Sequence, residues 1–224
     1  MTGVATANLG NRPDAAVLAG LHSLALRADV FGLQECGDRL KILGRFCTAT
    51  GWECWTGDEE GSASTPVLWN PKAVEVSRQG TRPATEATNT GRLGAGPDVV
   101  KAKVWNHARV HAPGEDPFVL INGHLPASLY LPRRRALAKK QIADLADMVE
   151  RREDRIDVVV VGDMNARPNA LVLKPLRRFG MKQRTHQPTH GRRTIDHVWT
   201  LGVSGRVEVV SFPSDHRVPI MTTR

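Results

Sequence analysis

Residues 154 to 168, DRIDVVVVGDMNARP, constrain the fold more than any other stretch of this chain. Four consecutive valines, Val158 to Val161, have charged residues before them and Gly162 and Pro168 after them. β-Branched residues suit a pleated surface, and a run with no polar position leaves neither face for water. The stretch therefore reads as a strand buried on both faces. It then ends in Asp163 and Asn165. Residues i and i+2 of a strand point to the same side, so the two are expected to converge on one spot at the strand's C-terminal end, where α/β folds tend to place ligands.

Further strand-like runs occupy 3–9, 29–35, 66–70, 99–105, 118–123, 194–200 and 206–212, with a last strand after Asp215 and His216. Helical patterns fall between several of them. One runs from about Pro13 to Arg27, with Asn11 placed to cap it and Pro13 suited to its first turn. A second covers about Asp38 to Thr50. A third covers about Pro132 to Arg152, where Ala138, Ile142, Leu145 and Val149 recur at helical spacing. The section from Gly57 to Pro97 is rich in Gly, Thr, Ser, Ala and Pro and reads as loops around a hairpin. Strands outnumber helices, which points to an α/β or α+β class with mixed sheets. The chain has 224 residues, 41% of them hydrophobic, and no internal repeat, so a single domain over 1–224 is expected.

No segment approaches the roughly 20 apolar residues of a membrane span, and the N-terminus lacks a basic region followed by an apolar one. Cys36, Cys47 and Cys54 are an odd set without paired short spacings, which disfavours a disulfide framework. A cytoplasmic, reducing setting is the expectation, and no obligate protein partner is evident. The formal net charge of +8 predicts attraction to polyanions, nucleic acid first and anionic lipid second.

Polar strand ends recur. Asn8 ends one apolar run, Gln34 and Glu35 another, and His124 a third; Asp196 sits inside a fourth, and Asp215 with His216 precedes the last. Taken singly, such residues cap helices, start turns or satisfy a core. Together, their carboxylates, carboxamides and imidazoles make up a set suited to binding a hard divalent cation and doing acid–base chemistry beside it.

The ordered motifs TANLGN, FGLQECGD, INGHLPAS, VVGDMNARP, RTIDHVW and SDHRVPI resemble those of the endonuclease/exonuclease/phosphatase superfamily, which includes DNase I-like nucleases and exonuclease III-type AP endonucleases. The resemblance runs from residue 4 to about residue 220. It implies a DNase I-like four-layer sandwich, two packed mixed β-sheets flanked by helices. It also implies a metal site for Mg²⁺ or Mn²⁺ with Glu35 as main ligand and Asn8 and Asp215 nearby. Asp163 and Asn165 would orient or deprotonate the attacking water, His216 held by Asp196 would face the scissile phosphate, and His124 would stand near the leaving oxygen. Gly162 would leave room for the substrate. The chain lacks the glutamate that some DNase I-like enzymes place before the VLWN-like strand, since Glu59 and Glu60 come several residues too early. It also has GHLPAS where AP endonucleases carry a tyrosine motif, which speaks against abasic-site repair.

Three other features carry weaker readings. Arg134, Arg135 and Lys139 begin the third helix, with Asp144, Asp147, Glu150 and Glu153 after them, against the preference of the helix dipole. That polarity fits a phosphate-backbone contact or a solvated face. His186, His190 and His197 lie close enough in sequence to raise a zinc site, which the oxygen-rich set elsewhere disfavours. The five tryptophans read as core. The expected activity is metal-dependent phosphodiester hydrolysis, on DNA in preference to RNA. The alternatives are a phosphatase of the same superfamily acting on phosphoinositides or another phosphate ester, and a catalytically silent binding module.

Overall fold

A computed structural model describes residues 1–93, 96–152 and 156–224. Glu153, counted above among the acids following the third helix, lies outside them. Two six-stranded sheets pack face to face. The first runs, in spatial order, β13 (Gly205–Val210), β14 (Val218–Thr223), β1 (Gly3–Asn8), β2 (Val30–Gln34), β4 (Val67–Trp69) and β3 (Glu53–Trp55). The second runs β11 (Lys182–Gln183), β12 (Asp196–Leu201), β10 (Asp157–Asp163), β9 (Phe118–His124), β8 (Lys103–His111) and β5 (Glu75–Thr85). A separate pair, β6 (Thr88–Leu93) with β7 (Gly96–Val100), stands apart from both. Helices α1 (Asp14–Ala25) and α2 (Leu40–Thr50) cover the first sheet, and α3 (Pro132–Glu150) with the short α4 (Lys174–Arg178) covers the second.

The valine run shows why four layers are needed. Val158 and Val160 pack under α3 with Ile142, Leu145 and Val149, while Val159 and Val161 face the other sheet with Val4, Val30, Val67 and Leu120. Period-two alternation thus feeds two separate cores from one strand. The first sheet does the same, with Val30 between the sheets and Phe31 and Leu33 under the first two helices. Trp52, Trp69, Trp105 and Trp199 are buried and Trp55 is half-buried, in keeping with a core role.

Several expectations are revised. Pro13 precedes α1 rather than opening it, and no side chain caps that helix, so Asn11 does not. Helix α2 starts two residues later than expected and closes on Gly51 at φ 74°, a left-handed position where a side chain is strained. The run at 99–105 is broken between β7 and β8. The middle section contains the eleven-residue strand β5 besides β4, β6 and the start of β7. That strand lies at a sheet edge and its ladder with β8 shifts register between Ser77 and Gly80 and again between Pro83 and Thr85. With one neighbour and irregular pairing, it needs no apolar alternation.

Candidate active site

Topology brings the polar strand ends together. In each sheet the central pair is parallel, β1 with β2 and β9 with β10, so both strands of a pair end at the same edge. Asn8 pairs with Gln34 there, and Asp163 with His124. Strands β12 and β14 run antiparallel to β10 and β1, so their beginnings arrive at that edge too. This places Asp196 opposite Asp163 and sets Asp215 and His216 just ahead of β14.

Near this edge the layer between the sheets turns from apolar to polar. Asn122 donates to the carbonyls of Leu33, Thr65 and Pro66, and accepts from Gln34 Nε2 at 2.8 Å. Gln34 also bonds Thr6, which absorbs the glutamine of the QE motif into structure. The sheets are stitched by fully paired amides where the reactive groups begin.

The reactive groups form one hydrogen-bonded set. Asn8 Nδ2 donates at 3.0 Å both to Glu35 Oε1 and to Asp163 Oδ2, and Asn8 Oδ1 accepts from the Gly10 N–H at 2.9 Å. The His216 Nδ1 lies 2.9 Å from Asp196 Oδ2. Asp163 Oδ1 accepts from the Asn165 N–H at 2.8 Å. Asn165 Nδ2 meets His124 Nε2 at 3.1 Å and donates to the Leu125 carbonyl at 3.0 Å. Asp163 and Asn165 converge, but through a side-chain-closed turn rather than through strand alternation: Asn165 lies past the strand at φ 45°. Glu35 is likewise left-handed at φ 61°. Both positions cost backbone energy in a non-glycine residue, the kind of strain that gathers at working sites. Gly162, at φ 147°, makes room for its neighbouring strand and not for substrate, since a Cβ there would sit 2.0 Å from the Gly123 carbonyl oxygen.

Electrostatics divides these groups into roles. Burial, with Asp196 close by, pushes the Asp163 carboxyl up to about 7, near the optimum for a base working at neutral pH. Burial opposes charge on His216, yet the Asp196 carboxylate outweighs it and holds the imidazole up at about 9, so it is cationic. Burial, and then the charges of Lys103 and His216, push His124 well below its usual value, leaving it neutral. Its Nε2 then accepts the Asn165 amide hydrogen.

The set fits a hard divalent cation. Glu35 is exposed at the cleft with Asn8 as its hydrogen-bond partner, and donor atoms of the buried Asp163, Asp196 and His216 lie within 4.8 Å of one another. Carboxylate and carboxamide oxygens gathered in this way suit a hard divalent cation. Asp215 stands at the rim, over half exposed, with its Oδ2 3.2 Å from His190 Nε2.

Of the basic helix residues, Arg134 reaches the cleft, where its guanidinium grips Asp98 of β7, while Arg135 and Lys139 do not line it. The cleft of about 390 Å³ is instead lined by Lys101 and Lys103 beside Glu35, His124, Asp163 and His216. Burial lowers the Lys103 pKa, against the pull of Asp163 and Glu35. Neither lysine stands out in the sequence, where Lys101, Ala102 and Lys103 alternate like a solvated strand face. His186, His190 and His197 do not gather: His197 is buried with its ring nitrogens engaged by Trp199 Nε1 and the Thr194 carbonyl, and His186 is exposed.

A family model described as "Endonuclease/Exonuclease/phosphatase family" matches residues 5–216. Among solved structures, a Bacteroides thetaiotaomicron mannosyl-6-phosphatase is 14% identical at a TM-score of 0.77, with 100% of each chain covered. The human Nocturnin catalytic domain with bound sulfate is 15% identical at a TM-score of 0.72, covering 100% of this chain and 94% of that one. D. rerio TDP2 complexed with single strand DNA product is 16% identical at 0.72, covering 100% and 98%. At such identities the likeness is one of fold. No curated protein matches the chain.

Proposed function

The chain belongs to the endonuclease/exonuclease/phosphatase family, and we propose that, as one unit over 1–224, it is a divalent-metal-dependent phosphodiesterase acting on nucleic acid, DNA in preference to RNA. The observation that carries this reading is the hydrogen-bonded set in which a carboxylate poised near neutrality, Asp163, adjoins a cationic His216 fixed by Asp196, in a cleft lined by Lys101 and Lys103. Three free cysteines fit a cytoplasmic, reducing setting. Among the described residues, no helix is long and apolar enough to cross a membrane.

A bound Mg²⁺ or Mn²⁺, held by Glu35 with Asp215 and the Asn8 carboxamide, supplies positive charge against the phosphoryl oxygens. Asp163 takes the proton of the attacking water. Asp196 keeps hold of His216 Nδ1, so Nε2–H is directed at the oxygen that gains charge. Asn165 spends both amide hydrogens on His124 and Leu125, and so positions His124 more than it positions water. Lys101 and Lys103 bind the phosphate. Arg134 supports them at the cleft wall, and any contribution of Arg135 and Lys139 comes from binding backbone beyond the cleft.

A second reading, hydrolysis of a phosphate monoester, is favoured by the two lysines at the cleft and by a mannosyl-6-phosphatase among the similar structures. A substrate panel separates the two: plasmid, single-stranded DNA, RNA, a sugar phosphate and a soluble inositol phosphate, each with Mg²⁺, Mn²⁺ or excess chelator. The phosphodiesterase reading expects metal-dependent cleavage of DNA, abolished by chelator. Hydrolysis of a phosphate monoester with every nucleic acid left intact replaces it with the second reading.

A further inference from the structure

His190 is the one histidine of its cluster that finds new partners. Its Nε2 lies 3.2 Å from Asp215 Oδ2, its ring centre lies 4.7 Å from that of His216, and donor atoms of His190, Asp215 and His216 all fall within 4.8 Å of one another. Two imidazoles and a carboxylate form a borderline-soft donor set, unlike the oxygens around Glu35.

The fold holds this trio in place before any ion arrives. His190 lies in a tight bridge with Arg193, closed by hydrogen bonds of 3.0 and 2.9 Å. The Arg217 N–H donates to the Thr189 carbonyl at 2.6 Å, tying the His216 loop to the His190 loop. Thr189 Oγ1 accepts from the backbone N–H groups of Ile195 and Asp196, and Ser214 Oγ both accepts from the His216 N–H and donates to its carbonyl. Asp196 engages His216 Nδ1, leaving Nε2 as the coordinating atom, once zinc has displaced the proton that the cationic ring carries there to solvent, in the carboxylate–histidine–metal arrangement that metal-binding histidines favour. At Zn–N distances of about 2.0–2.1 Å, donors of a tetrahedral site stand about 3.3 Å apart, a spacing the His190–Asp215 pair already has. Three protein donors leave a fourth position open, and the half-exposed His190 and Asp215 give an ion access from solvent.

We propose that His190, Asp215 and His216 form a site for a borderline divalent ion, Zn²⁺ in particular, and that filling it blocks the hydrolytic centre by occupying His216 and Asp215. The inhibitory consequence rests on the phosphodiesterase reading; the binding does not. It makes Zn²⁺ and Mg²⁺ rivals for Asp215, with the imidazoles deciding for zinc.

The test titrates metal-free full-length protein with Zn²⁺ against a chromophoric chelator, and with Co²⁺ while following its visible absorption. Wild type should bind one Zn²⁺ and give the intense absorption of tetrahedral Co²⁺. His190→Ala should bind Zn²⁺ at least about tenfold more weakly, the lower end of what losing even an outer partner of a ligand costs. His186→Ala and Glu35→Gln should keep wild-type affinity. Zinc should also inhibit hydrolysis by wild type at concentrations that spare His190→Ala, each measured against its own zinc-free rate. Wild-type zinc affinity in a folded His190→Ala protein overturns the site and leaves the hydrolase reading standing, and so does an equal loss of zinc binding in Glu35→Gln, which would put the ion among the oxygens. Intact His190-dependent zinc binding with no phosphoester hydrolysed would sink the hydrolase reading alone.

Discussion

The valine run of β10 and the carboxylate that closes the strand are buried to the same depth and differ in what surrounds them. Val158 to Val161 are 0–1% exposed and Asp163 is 2% exposed. Each valine is met by apolar side chains on its own face, under α3 or against the other sheet. Asp163 is met by an N–H from Asn165 and an amide from Asn8, with a second carboxylate directly across the ladder. Burial at the first end stabilises through removal of apolar surface from water. At the second it costs desolvation that its two hydrogen bonds offset only in part, and the carboxyl responds by holding its proton up to about pH 7. The difference teaches that the strand's rigid half supports a half whose burial is only partly compensated within the chain.

The sharpest way to break that comparison is to move the boundary between the halves. Gly162→Ala drives a Cβ to within 2.0 Å of the Gly123 oxygen and should cost several kcal/mol, on the order of 3 or more, or leave no folded protein. Chemical denaturation measures it, and a loss under about 1 kcal/mol would show that β9 and β10 are less tightly opposed than described. Within the apolar half, Val160→Ala should cost roughly 2 kcal/mol of stability and leave the rate per folded molecule near wild type. A tenfold fall in rate would mean that the two halves are not separable. The smallest effect concerns the cleft wall: Lys103→Met should reduce the slope of log K for DNA against log salt by about 0.9, one phosphate contact, with the fold unchanged. An unaltered slope would remove Lys103 from the substrate.

Most of this architecture is legible in the sequence because strong patterns leave few choices. The valine run and the Ala138–Val149 periodicity lie in the elements expected of them, and Asn8, Glu35, His124, Asp163, Asp196 and His216 fall at or beside strand ends that meet at one edge. Strand β5 was hidden since an edge strand with a broken ladder carries no alternation, and its Arg, Gln and Gly residues look like loop. At the site, residue types were visible and conformations were not. The left-handed backbone at Glu35 and Asn165 depends on tertiary contacts, as does the difference between Gly162 facing a strand and Gly162 facing a ligand. Arg134 bound to Asp98 and sharing the cleft wall with Lys103 depends on tertiary contacts that no local spacing records.

Asp163→Asn tests the central claim most directly, because it removes the charge and keeps the shape, losing one of the two hydrogen bonds that the carboxylate accepts from Asn8 Nδ2 and the Asn165 N–H. In metal-free wild type, the folded state holds the Asp163 proton up to about pH 7 while the unfolded chain releases it near the ordinary aspartate value of 3.8, so stability is lost as pH rises between those values. The variant should therefore be less stable than wild type near the low end of that window, by the one hydrogen bond that its amide nitrogen cannot accept. That gap should narrow or reverse as pH climbs towards about 7, with no further change above it, while turnover with Mg²⁺ falls by on the order of 10² or more. A stability gap that stays constant across the window, or a variant that keeps near wild-type turnover, would contradict the account of β10 as a strand whose end carries its strain for catalysis.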